Sequence, residues 1–205
     1  MNIYDFHVTP EKLIGFELTD KIPDLFWEKY KHDETELRKR EKYIARNPKF
    51  AFYYAEKILR GRRFLNGEDA ISTSPEYAYY YARDIIEGPW AKGEDAISTS
   101  SKYAYYYSDS VLKGPFPKGE AAIATDSENA CFYAKYMLHK EFPLGEKAIA
   151  KDATYAYYYA RDIIEGPFPL GEKAISLDLD RAKEYARDVL EKDFYYNGKL
   201  IAKAE

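Results

Sequence analysis

Apolar and small residues recur along this chain with helical spacing. Ala78, Tyr81, Ala82 and Ile85 fall at i, i+3, i+4 and i+7, which puts them on one face of a helix. The same four positions return as Ala104, Tyr107, Ser108 and Val111, then as Ala130, Tyr133, Ala134 and Met137, and again from Ala156 and Ala182. Upstream, Ala51, Tyr54, Ala55 and Ile58 repeat them. Small residues let neighbouring helices approach closely while the tyrosine and the aliphatic fill the gaps, so this face is expected to be core. Trp90, Phe116, Phe142, Phe168 and Phe194 follow the long blocks and are expected to pack in the loops between helices.

Punctuation around the blocks fits helices. Asn47, Ser74, Ser100, Asp126, Asp152 and Asp178 precede them, and all are N-cap residues. Pro48 and Pro75 follow two of these caps, as helix-opening prolines do. Gly61, Gly88, Gly114 and Gly166 close the blocks and are expected to take the left-handed conformation that ends a helix of about 13 residues. Between blocks, Gly-Glu-x-Ala-Ile begins at Gly67, Gly93, Gly119, Gly145 and Gly171, each step being 26 residues. This motif is expected to form a second, two-turn helix. A fixed period of this size marks repeats that cannot bury their apolar faces alone.

The expected fold is therefore all-α, an α-solenoid of about six helix-hairpin repeats with a helical N-terminal cap. Residues 1–39 form the cap, with helix starts at Thr9-Pro10-Glu11, at Ile22–Trp27 and behind Asp33. Residues 40–202 form the array, with units near positions 40, 67, 93, 119, 145 and 171 and half a unit from Gly198.

The face opposite the core carries the candidate binding residues. At about 100° per residue, the Tyr80 position points roughly 160° away from Ala78. It holds Tyr53, Tyr80, Tyr106, Phe132 and Tyr158 in successive units and Glu184 in the last. Arg83, Lys135 and Arg161 flank it among charges of varying sign. Two arrangements satisfy this pattern: each aromatic leans on the adjacent unit, or the aromatics form a ligand-facing row. Aromatic anchors amid variable charge suit a protein partner.

Composition narrows the function classes. The chain has 22 tyrosines, mostly in the repeats, and one cysteine, Cys131, which suits a reducing compartment and reads as a packing variant of the Tyr79 position. Residues 1–66 carry 14 Lys and Arg against 11 Asp and Glu, a net of +3, and the remainder carry 17 against 24, a net of −7. An acidic array disfavours phosphate contacts. A single-stranded nucleic-acid binder, with one stacked aromatic per repeat and Arg83, Arg161 and Arg187 as cations, is the second reading. A self-assembling structural element is the third.

No phosphate loop, dinucleotide fingerprint or Cys-x-x-Cys is present, and His7, His32 and His139 share no ligand spacing. Asp84, Asp162 and Asp188 recur with the period, which fits ion pairing with neighbouring arginines better than a catalytic pair built once. Neither an enzyme, a cofactor nor a metal is expected. With no signal peptide pattern at Met1–Asp5 and no apolar run long enough for a membrane span, a soluble cytoplasmic protein is expected.

The unit Gly145–Phe168 (Gly-Glu-Lys-Ala-Ile … Tyr-Ala-Tyr-Tyr-Tyr-Ala-Arg-Asp-Ile-Ile-Glu-Gly-Pro-Phe) resembles a Tyr-rich repeat of uncharacterised tailed-bacteriophage and viral-metagenome proteins. The likeness spans about residues 40–202. It carries over no catalytic or binding residue, and it implies a viral protein working in a host cytoplasm. Small non-enzymatic proteins of that kind often bind and block a host or defence protein.

Overall fold

The computed structural model describes residues 32–204, and the chain divides between Thr73 and Ser74 into two compact units. Among the described residues the fold is all-α, with one two-stranded hairpin. The helix starts expected before His32 lie outside the described residues, as does His7.

The first unit contains α1 (Glu34–Lys39), α2 (Glu41–Ile44), α3 (Pro48–Tyr53) and α4 (Glu68–Ile71). Asp33 caps α1 by accepting the Glu36 N–H, and Asn47 caps α3 by accepting that of Phe50. The second unit repeats one pattern. Long helices α5 (Pro75–Tyr81), α7 (Ser101–Tyr107), α9 (Ser127–Phe132), α11 (Ala153–Tyr159) and α13 (Leu179–Tyr185) alternate with short ones. The short ones are α6 (Ala91–Ile97), α8 (Glu120–Ile123), α10 (Glu146–Ile149) and α12 (Glu172–Ile175). Each of α5, α7, α9 and α11 packs against the short helix that follows it and against the next long helix. Side chains of Ser74, Ser100, Asp126, Asp152 and Asp178 accept the first-turn N–H groups they were expected to cap.

Most of the Gly-Glu-x-Ala-Ile helices are one turn rather than two. The long helices also end differently from expectation. Each widens in its last turn to π-type hydrogen bonding, as over Ala82–Ile86 and Ala160–Ile164. In the first unit Gly61 is left-handed as expected (φ 77°). In the second, Glu87, Lys113 and Glu165 take that conformation in place of the glycine after each, as do His139 and Glu191 where a lysine follows, with φ between 51° and 56°. The Gly88 N–H turns back to the Ala82 carbonyl at 3.1 Å. A non-glycine residue there costs roughly 1–2 kcal/mol. In return the chain reverses within a few residues and lays the Trp90 ring 4.9 Å from Tyr81.

The invariant tyrosine explains the rest of the motif. Tyr54, Tyr81, Tyr107, Tyr133, Tyr159 and Tyr185 are fully buried, as the core pattern required. The Tyr107 hydroxyl accepts the Trp90 N–H (2.8 Å) and donates to Glu94 Oε1 (3.0 Å). Tyr133 does the same with Phe116 and Glu120, Tyr159 with Phe142 and Glu146, and Tyr185 with Phe168 and Glu172. In the first unit Tyr54 donates to Glu41. The hydroxyls of Tyr107, Tyr133, Tyr159 and Tyr185 thus tie a long helix to the loop aromatic 17 residues back and the glutamate 13 residues back. The motif glycine is required by the same packing: a Cβ on Gly119 would lie 2.5 Å from Phe116 Cδ1 and 2.8 Å from Ala104 Cβ.

After α13 the pattern changes. Phe194–Tyr196 (β1) and Lys199–Ala202 (β2) pair antiparallel, with a bulge between Phe194 and Tyr195. The segment from Gly198, expected as half a repeat, is a strand. Asn197 and Gly198 both have positive φ, which suits a two-residue hairpin turn. Phe194 still fills the loop-aromatic place, 5.2 Å from Tyr185.

Candidate functional site

On the outer face of the second unit, aromatic rings from Tyr80 to Tyr155 touch across neighbouring repeats, and Tyr157 and Tyr158 form a separate pair. Tyr80, Phe132 and Tyr158 are half-buried, and Tyr106 is 38% exposed. Tyr80 meets Tyr103 of the next repeat edge-on at 6.2 Å, and Tyr106 lies 5.9 Å from Tyr79 of the preceding one. Phe132 touches Tyr105 behind it (6.3 Å) and Tyr155 ahead of it (5.8 Å, 89°). Tyr158 pairs with Tyr157 at 5.5 Å. Tyr80, Tyr106 and Phe132 therefore do lean on adjacent repeats, yet they leave open surface at Tyr106 and at Tyr136, which is 49% exposed and 5.9 Å from Phe132. Tyr53 belongs to the first unit, half-buried beside Phe52 at 5.6 Å.

Residues outside the expected stripe complete this surface, namely Tyr103, Tyr105, Tyr136 and Tyr155, and the buried rings of Tyr79 and Tyr157 lie beneath it. For Tyr79, Tyr105 and Tyr157 the signal was the run of three consecutive tyrosines, which no single helical stripe uses up, whereas Tyr103, Tyr136 and Tyr155 stand outside those runs. Tyr103 is hydrogen-bonded to Glu76, and burial followed by that bond pushes its pKa up. Burial, then the Glu128 carboxylate, raises Tyr155 to about 12.

The flanking cations are already engaged. The guanidinium of Arg83 lies about 5 Å from the Tyr79 and Tyr80 ring centres and bonds to Asp84 at 2.6 and 2.8 Å. Arg161 repeats this on Tyr157, Tyr158 and Asp162. Lys135 reaches across to Asp162 at 2.8 Å. Tyr157 donates to Asp188 at 2.6 Å, and Asp188, bonded chiefly by Arg187, is held near a pKa of about 2. The recurring aspartates Asp84, Asp162 and Asp188 are thus ion-pair partners.

Cys131 is buried beneath this surface, with Sγ 3.7 Å from the Tyr155 carbonyl oxygen, and burial raises its thiol to about 12. A thiol held protonated is a poor nucleophile. In the first unit an open cleft of about 700 Å³ is lined by Arg38, Lys42 and Arg46 with Glu41 and Asp69. Cations and carboxylates alternate there, which gives no strong field of one sign. No helix among the described residues is long and apolar enough to cross a membrane. No family model, curated protein or solved structure matches the chain.

Proposed function

We propose that the chain is an α-solenoid of 26-residue helix hairpins acting as a non-enzymatic protein-binding module. It is of viral origin and works in the host cytoplasm, where it binds and holds a host protein, a component of bacterial defence being the class of target. The observation that carries this is the aromatic surface running from Tyr80 to Tyr155, part-buried by its own repeats yet open at Tyr106 and Tyr136. Rigid aromatics give large contact area at little entropic cost, and such residues are enriched at interface anchors. The engagement of Arg83, Lys135 and Arg161 by carboxylates speaks against a phosphate-binding track, since paired cations have little charge left to neutralise phosphate.

The test is affinity capture from bacterial lysate with the whole chain, with and without nuclease, and with Tyr106→Ala and Tyr136→Ala. Both side chains are exposed enough to remove without unfolding, which circular dichroism checks. A protein retained after nuclease and lost with either variant supports the proposal. Retention that vanishes with nuclease would replace it by the single-strand binder. A retained protein indifferent to both variants would remove the aromatic surface from the interface.

A further inference from the structure

Two of the outer tyrosine pairs carry a guanidinium of the chain itself. Arg83 lies 5.1 and 5.0 Å from the ring centres of Tyr79 and Tyr80, and Arg161 lies 4.9 and 5.1 Å from those of Tyr157 and Tyr158. These pairs are alike, with centroids 5.3 and 5.5 Å apart and planes tilted by 48° and 46°. In each case the next residue, Asp84 or Asp162, takes two hydrogen bonds from the guanidinium.

Between them Tyr105 and Tyr106 form a third pair of the same kind, 6.0 Å apart and tilted by 52°. Here the repeat brings Asp109 to the place of Arg83 and Arg161, and Ser110 to that of Asp84 and Asp162. The guanidinium of that position is therefore absent, and a carboxylate stands beside the rings instead. Asp109 accepts from the Ser110 hydroxyl at 3.2 Å and has no ion pair among the described residues. The other charges at hand do not neutralise it. Lys102 lies over rings of the patch, 5.2 Å from the Tyr103 ring centre and 5.9 Å from that of Tyr106, and makes no ion pair with Asp109. Lys135 is held by Asp162, and Glu128 adds a second negative charge near Tyr105. Tyr106 is open to solvent, so the patch is accessible.

We propose that Tyr105, Tyr106 and Asp109 receive the guanidinium of an arginine side chain from the partner protein, in the place that Arg83 and Arg161 fill in the other copies. An aromatic face attracts a cation, and a carboxylate beside it accepts two parallel N–H groups from a planar fork. Arginine meets both demands and lysine only the first. This site rests on the aromatic surface being the partner-binding face.

The test uses the whole chain and short peptides, acetyl-Gly-Arg-Gly-amide and its citrulline and lysine counterparts, with tyrosine ring resonances followed by NMR. The arginine peptide is expected to bind about tenfold tighter than its neutral citrulline isostere, as a charge-assisted bond should. Asp109→Asn is expected to bring it down to the citrulline level. Asp109→Arg, which restores the pattern of Arg83 and Arg161, is expected to abolish peptide binding with unchanged thermal unfolding. Equal binding of the arginine and citrulline peptides, or an Asp109→Asn chain that binds arginine undiminished, overturns the proposal. Peptide indifference together with captured protein lost on Tyr106→Ala would overturn this site and leave the binding module standing.

Discussion

Replacing Tyr133 by Phe isolates one hydroxyl of the buried relay. In the wild-type chain that oxygen accepts the Phe116 N–H at 2.9 Å and donates to Glu120 Oε1 at 3.0 Å, within a fully buried ring. Phe keeps the ring and its 5.3 Å contact with Phe142, so packing is largely conserved. The Phe116 amide then has no acceptor, and an unsatisfied buried donor costs about 1–3 kcal/mol. Glu120 loses a charge-assisted bond worth roughly 1.5–3 kcal/mol, part of which water restores because its carboxylate is only half-buried. Together these give an expected destabilisation of about 2–4 kcal/mol, a large share of the roughly 5–15 kcal/mol that holds a domain folded. The assay is urea unfolding of the two proteins, with amide hydrogen exchange at Phe116 as the local readout. Tyr136→Phe, three residues on and exposed, is the control and should change stability by no more than about 0.5 kcal/mol. Glu120→Gln keeps an acceptor oxygen and should cost less than Tyr133→Phe. If Tyr133→Phe matches the Tyr136→Phe control and Phe116 exchange is unchanged, the hydroxyl relay does not hold the repeats together.

Three further outcomes follow from the same geometry. Gly119→Ala is expected to destabilise by about 2 kcal/mol or more through overpacking against Phe116 and Ala104, whereas Gly114→Ala, with open space around it, should gain roughly 0.4–1 kcal/mol; equal effects on thermal unfolding would contradict the packing. Lys113→Asn should be neutral or stabilising by up to about 1 kcal/mol, because asparagine tolerates the left-handed conformation that Lys113 adopts at φ 55°; a clear loss in calorimetry would mean that the lysine side chain contributes something else. Burial raises Tyr107 to about 12 and pushes Tyr133, Tyr159 and Tyr185 up as well. The unfolded chain releases these protons near pH ~10 and the folded one later, so stability is full below pH ~10 and falls as pH rises toward about 12. The slope approaches ~1.4 kcal/mol per pH unit for each tyrosine, and a urea midpoint that stays flat across that window would rule the mechanism out.

Much of this molecule was legible in its sequence because the deciding interactions are local or repeated. The N-caps at Asn47, Ser74, Ser100, Asp126, Asp152 and Asp178 bond to amides two or three residues away, so residue type and place suffice. The core face was readable from the comparison of units, since Ala78, Tyr81 and Ala82 keep the same small-large-small pattern wherever a helix must pack closely. The ion pairing of Asp84, Asp162 and Asp188 followed from adjacency to arginine. The hairpin at Asn197-Gly198 was also signalled by its turn residues, but the fading of the repeat motif obscured it.

What the sequence could not decide depends on partners one repeat away. Periodicity marked Tyr107 as core, yet only the packed helices bring its hydroxyl between the Trp90 amide and Glu94. The left-handed place fell on Glu87 rather than Gly88 because the π-type turn, not residue preference, sets where the chain reverses. Helical angles aimed Tyr80, Tyr106 and Phe132 away from the core but left open whether they lean on the adjacent unit, and contacts between neighbouring long helices pack them against Tyr79, Tyr103 and Tyr105. The physical reason is the same in each case. A residue's place on its own helix is set within one turn of backbone, whereas what that side chain touches is set by the next helix over.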